Sequence, residues 1–134
     1  MLVAGDIFDS PTPTKQIVSA TCSAIGSLRV PVYLIPGNHD HGGVGSIWGQ
    51  DFFLRERSGL SPNLHILLKS EPVILESAIL FPCPLLRRHE PSDLTSWIRD
   101  FDFSSVPGDM ARIILAHGSV LDFSGARDED EVDE

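Results

Sequence analysis

Val30-Pro31-Val32-Tyr33-Leu34-Ile35-Pro36-Gly37-Asn38-His39-Asp40 decides how this chain is read. An apolar, β-branched run over 30–35 has the composition of a buried strand, and it stops at Pro36-Gly37. The residues just past the stop are an amide, an imidazole and a carboxylate. Upstream, the run 1–4 stops in the same way at Gly5-Asp6-Ile7-Phe8-Asp9. Downstream, the apolar run 111–116 delivers His117-Gly118 to its end. Three strands thus end in side chains bearing oxygen or nitrogen lone pairs, and an open α/β sheet builds its site at the carboxyl ends of its strands.

The segments between these clusters set the expected architecture. Thr12 as cap and Pro13 at the first helical position predict a helix over 15–28, with Ile17, Val18, Cys22, Ile25 and Leu28 on its apolar face. Strand, helix and strand with short connections imply a right-handed parallel crossover. A second helix is expected over 46–57, where Ile47, Trp48, Phe52, Phe53 and Leu54 offer apolar packing. Short strands follow at 64–68, 73–75 and 78–81, the last two as a hairpin across Glu76-Ser77. A helix over 93–101, capped by Ser92 or Asp93, precedes the final strand. The fold class is α/β, a mixed sheet flanked by helices.

With 134 residues and 42% hydrophobic content the chain suits one domain with a real core. Its net charge of −9 is concentrated at the end, where residues 127–134 hold one base and six acids. We therefore divide it into a domain over 1–126 and an acidic tail over 127–134, expected to be disordered. An acidic body argues against a broad basic surface for nucleic acid, so a phosphate substrate would be attracted by metal ions. No apolar run approaches the roughly 18 to 20 residues that span a bilayer, and no leader resembles a signal peptide, so the expected location is cytoplasmic and no membrane partner is expected. Cys22 and Cys83 lack the spacing of a disulfide framework or a zinc site and read as core residues.

The chemistry of the clusters is that of a two-cation site. The carboxylate of Asp6 has two oxygens and can bridge two ions held roughly 3.5 to 4 Å apart. Asn38 offers a neutral oxygen and His117 a neutral nitrogen, a mixed set that suits manganese, iron or zinc better than calcium. His39 can face a phosphate and its leaving oxygen, stabilising charge or giving up a proton. Asp40 is expected to orient His39 by accepting its other ring proton. Gly5 and Gly37 permit tight turns, and Asp9 is a candidate to cap the next segment or orient a ligand.

Gly5-Asp6-Ile7-Phe8-Asp9, Gly37-Asn38-His39-Asp40 and the strand-terminal His117 resemble, in order, three motifs of the calcineurin-like metallophosphoesterases. The segments 48–57 and 80–89 look most similar to bacterial DNA-repair exonucleases of the SbcD-like branch. The resemblance implies a sandwich of mixed sheets flanked by helices, and two divalent metal ions, manganese favoured. It makes Asp6 the bridging ligand, Asn38 and His117 ligands of one ion, and His39 with Asp40 the catalytic pair. The implied reaction is attack of metal-activated hydroxide on a phosphoester, with DNA as substrate and an SbcC-like ATPase as partner of the full-length protein. The family's first Asp-x-His motif and its last histidine motif have no counterpart, so the expected fold is incomplete at both ends and the chain alone is expected to turn over little. The rival readings are a small-molecule phosphodiesterase or phosphatase, and a non-catalytic scaffold that has lost its metals.

Other polar residues read more simply. His41, His65 and His89 are expected to be surface or hydrogen-bonded groups, and Trp48, Phe52 and Phe53 to be packing residues. Arg87-Arg88, beside His89, reads as a solvated loop pair, with contact to phosphate as its other reading.

Overall fold

Two three-stranded sheets and the helices beside them account for residues 1–118, which the computed structural model describes. The acidic tail expected over 127–134 lies outside those residues. In the first sheet β1 (Leu2–Ala4), β2 (Val32–Ile35) and β3 (Leu64–Ile66) run parallel in that order. In the second, β5 (Ala78–Cys83) lies between β4 (Val73–Ile74), antiparallel to it, and β6 (Ala111–Ala116), parallel to it. The α/β class with small sheets and flanking helices is the one expected, although only the second sheet is mixed and the first is wholly parallel, and the hairpin across Glu76-Ser77 is as expected.

Helix α1 (Lys15–Ser27) covers the first sheet with Val18, Cys22 and Ile25, which pack with Val32, Leu34 and Leu64. Ile17 and Leu28, assigned to that apolar face from the sequence, point outward instead. The cap is Thr14 rather than Thr12: its hydroxyl accepts from the Ile17 amide, which leaves Pro13 outside the helix. Cys22 and Cys83 are free thiols in the core, and burial pushes both thiols up from their ordinary value.

Two predicted helices come out differently. Over 46–57 the chain makes a 3-10 turn (Ile47–Gly49), extends at Gln50, and only then forms α2 (Asp51–Leu60). The break has a physical reason: the indole N–H of Trp48 donates to the Asp40 carbonyl at 2.6 Å, so this turn is tied to the loop after β2 rather than to the helix axis. Over 93–101 only α3 (Ser96–Arg99) is helical. Asp93 accepts from the amide and hydroxyl of Thr95, a local bond that competes with helix formation. Against β5, α3 and the segment after it supply Trp97, Phe101 and Phe103, all packed around Phe81.

This topology positions the clusters. Ala4 is in register with Ile35, so the loops that follow β1 and β2 leave the sheet side by side. The end of β6 comes to the same place, where the ring of His117 meets the carbonyl of Ala4.

Candidate metal centre

Two glycines let the loops touch. Gly5 adopts φ +84°, and a β-carbon there would stand 2.6 Å from the Gly37 α-carbon and 2.7 Å from His117 Nδ1. A β-carbon on Gly37 would lie 2.2 Å from Asp6 Oδ1. Asp6 follows Gly5 into the left-handed region at φ 56°, a conformation that short polar side chains tolerate and that functional sites often retain. Its Oδ1 accepts the amide of His39 at 3.0 Å, which fixes the carboxylate and leaves Oδ2 free to face inward.

Oδ2 of Asp6 lies 3.4 Å from His117 Nε2, and Oδ1 of Asn38 lies 2.9 Å from the same nitrogen. The other ring nitrogen, Nδ1, is 2.8 Å from the Ala4 carbonyl. A carbonyl can only accept, so Nδ1 carries the proton and, in the neutral ring, Nε2 presents a lone pair. That lone pair then faces two oxygen lone pairs, an arrangement that repels itself unless a proton or a metal cation occupies its focus. Donors about 2.1 Å from one ion at right angles stand roughly 3.0 Å apart, close to the separations here. Aspartate, amide and imidazole are also a donor set suited to manganese, iron or zinc. These residues fit one divalent ion. Among the described residues no group of three or more His, Cys, Asp and Glu gathers, at this point or at any other, so the cluster is a three-donor set only with the Asn38 amide counted in.

The structure thus brings Asp6, Asn38 and His117 together. His39 stands at their rim with 42% of its side chain exposed, its Nδ1 3.5 Å from Asp6 Oδ2 and 3.9 Å from Asp9 Oδ1. The expected bond from His39 to Asp40 is absent among the described residues. Asp40 is wholly buried, and its carboxylate accepts four backbone amides: Gly37 at 2.7 Å, Ile7 at 2.9 Å, Asp6 at 3.1 Å and Phe8 at 3.2 Å. It binds the loop after β1 to the loop after β2, which is a positioning task and not one of tuning the imidazole. Asp9 projects into solvent, and among the described residues its carboxylate caps no segment.

Beside Asn38 and His117 opens a cavity of about 1100 Å³ whose far wall is the loop over 85–95. A second concavity, along Asp51, Leu54, Arg55 and Ser58 of α2, contains no residue of the cluster. Sequence reasoning missed two parts of the site. The Ala4 carbonyl has no side-chain signature at all. The loop over 85–95 carries one in Arg87-Arg88 beside His89, which reads from sequence as a solvated pair with phosphate contact as its other reading, and nothing local places that loop at the site. Of the remaining histidines, His65 stacks on Tyr33 with ring centres 4.9 Å apart, whereas Nδ1 of His41 is buried without a hydrogen-bond partner among the described residues, contrary to expectation. Trp48 and Phe53 are core residues and Phe52 packs against them, as expected.

A family model described as calcineurin-like phosphoesterase matches residues 1–133. No curated protein matches the chain.

Proposed function

This chain belongs to the calcineurin-like phosphoesterase family, whose members bind divalent metals and hydrolyse phosphoesters, and from that premise we propose that it serves the hydrolysis of phosphodiesters in DNA, as an exonuclease of the SbcD-like kind does, with manganese as the metal and an SbcC-like ATPase as partner. The observation that carries the reading is the approach of Asp6 Oδ2 and Asn38 Oδ1 to the same nitrogen, His117 Nε2. The Ala4 carbonyl holds the His117 ring in the tautomer that leaves Nε2 bare, and the His39 amide holds the Asp6 carboxylate. When bound, divalent ions would activate the attacking water and neutralise charge on the phosphoryl group. His39, at the exposed rim, holds a proton within reach of the leaving oxygen. Asp40 keeps the two loops in register while these groups act. DNA is favoured over a small phosphoester by the resemblance of 48–57 and 80–89 to repair exonucleases.

The test is manganese uptake by the whole chain, followed calorimetrically, alongside hydrolysis of bis-p-nitrophenyl phosphate. Asp6→Asn and His117→Ala are expected to weaken manganese binding at least tenfold. His39→Ala is expected to keep the metal and to cut the small turnover of the parent chain by about a hundredfold or more. Manganese affinity unchanged in both ligand variants would overturn the site, and turnover indifferent to His39→Ala would overturn its role.

A further inference from the structure

The cavity beside Asn38 and His117 is walled on its far side by residues that metal binding does not use, among them Arg88, Glu90 and Asp93. Two of these carry negative charge, yet both are committed to near neighbours. Glu90 accepts from the hydroxyl and amide of Ser92 at 2.6 and 3.2 Å and pairs with Arg87 at 3.5 Å. Asp93 accepts from Thr95 and pairs with Arg99 at 2.6 Å. These bonds hold both carboxyls below their ordinary values, so they stay charged and paired through neutral pH. Each acid is thus matched by one arginine that is not Arg88. Among the described residues Arg88 has no carboxylate within ion-pair distance, and it is exposed. Among the described residues the wall therefore presents one guanidinium without a paired carboxylate to the space that opens at the metal ligands. A guanidinium so placed is a fork for a phosphate, and it is set in an otherwise acidic chain where stray attraction of anions is weak.

We propose that Arg88 binds a phosphate adjacent to the one being cleaved, so that this cavity selects substrates with at least two phosphates in a strand over single phosphoesters. The assignment rests on the functional reading above, since it takes the scissile group to lie at Asp6, Asn38 and His117. Arg88 is then a specificity-determining residue. Its contribution belongs to binding the strand and not to the chemical step, because it grips a group that does not react. The loop places it there by spending its neighbours, Arg87 and Arg99, on local ion pairs that hold the wall in shape.

Binding to the metal-loaded whole chain separates the possibilities. The probes are a fluorescein-labelled oligothymidylate, read by anisotropy across a salt series, and inorganic phosphate, read calorimetrically. Arg88→Ala is expected to weaken the oligonucleotide about tenfold and to flatten the slope of log affinity on log salt by about 0.7, the contribution of one contacted phosphate in a single strand. Arg88→Lys should recover most of that slope, since it restores the charge. Inorganic phosphate and manganese should bind both variants as they bind the parent chain. The proposal is overturned if Arg88→Ala leaves oligonucleotide affinity and slope unchanged, if it weakens inorganic phosphate equally, or if the parent chain fails to bind the oligonucleotide. In each of those cases manganese uptake that still depends on Asp6 keeps the metal-centre reading, whereas uptake indifferent to Asp6→Asn removes that reading on its own account. Circular dichroism of both variants confirms that an exposed loop residue was changed without loss of the fold.

Discussion

Asp40 shows how one residue type can be recognised and its task misjudged. The run Gly37-Asn38-His39-Asp40 marked it as a partner for its neighbour, because carboxylates beside functional histidines commonly orient them. In the folded chain the carboxylate instead turns inward and satisfies four amides, three of them more than thirty residues away in sequence. Hydrogen bonds to a charged acceptor contribute about 1.5 to 3 kcal/mol, and donors left unpaired in a buried place cost more than the bonds themselves contribute. Asp40→Ala is therefore expected to lower unfolding free energy by about 3 kcal/mol or more, and Asp40→Asn by less, because one oxygen remains. Denaturant unfolding measures both. A variant as stable as the parent chain would return Asp40 to the role of partner for His39. Gly5 and Gly37 are legible as turn residues from sequence, yet the stronger constraint on them is that a β-carbon on either would stand less than 3 Å from atoms of the facing loop, which no local pattern encodes.

At the scale of elements, strands were easier to read than helices. Each strand is a short apolar run bounded by turn residues, and the hairpin and the parallel pairs follow from run order. The helices expected over 46–57 and 93–101 were changed by single polar bonds: the Trp48 indole to the Asp40 carbonyl, and the Asp93 carboxylate to Thr95. The segment over 90–105 is organised by three such turns, at Glu90, Asp93 and Asp102, each accepting from a hydroxyl and an amide two residues on. Those bonds, the hydroxyl first, pull all three carboxyls below their ordinary values of 4.5 for Glu90 and 3.8 for Asp93 and Asp102. A depressed folded value means that the stabilisation is complete above the ordinary value and is lost as pH falls through the folded one. The amide resonances of Ser92, Thr95 and Ser104 are expected to titrate with midpoints below 4.5, 3.8 and 3.8 respectively. Midpoints at or above those values would show that the turns do not hold in solution.

At the scale of the whole molecule, the cluster joins parts that the chain keeps far apart. His117 and Ala4 are separated by 113 positions, and His117 and Asn38 by 79, so an ion at this point ties the end of β6 to the ends of β1 and β2. Binding to the folded form alone stabilises it by RT ln(1 + [L]/Kd), about 2.7 kcal/mol at a hundredfold excess over Kd. For a chain of this size that corresponds to a rise of roughly 10 °C in Tm. Manganese is expected to raise the Tm of the parent chain by that order, chelator to reverse it, and Asp6→Asn to abolish the response. Scanning calorimetry with and without metal checks this. An equal rise in the variant would place the stabilising ion elsewhere.

The amino-acid sequence alone determined the α/β class, the strands and the identity of three of the donor groups, because apolar runs, turn residues and lone-pair side chains at strand ends are local features. Tertiary structure alone decided which atoms meet: the carbonyl that sets the His117 tautomer, the amides that occupy Asp40, and the arginine that no carboxylate pairs with among the described residues. Those outcomes depend on pairings between positions distant in the chain, and a residue's charge or lone pair says what it can bind but not what folding will bring within reach.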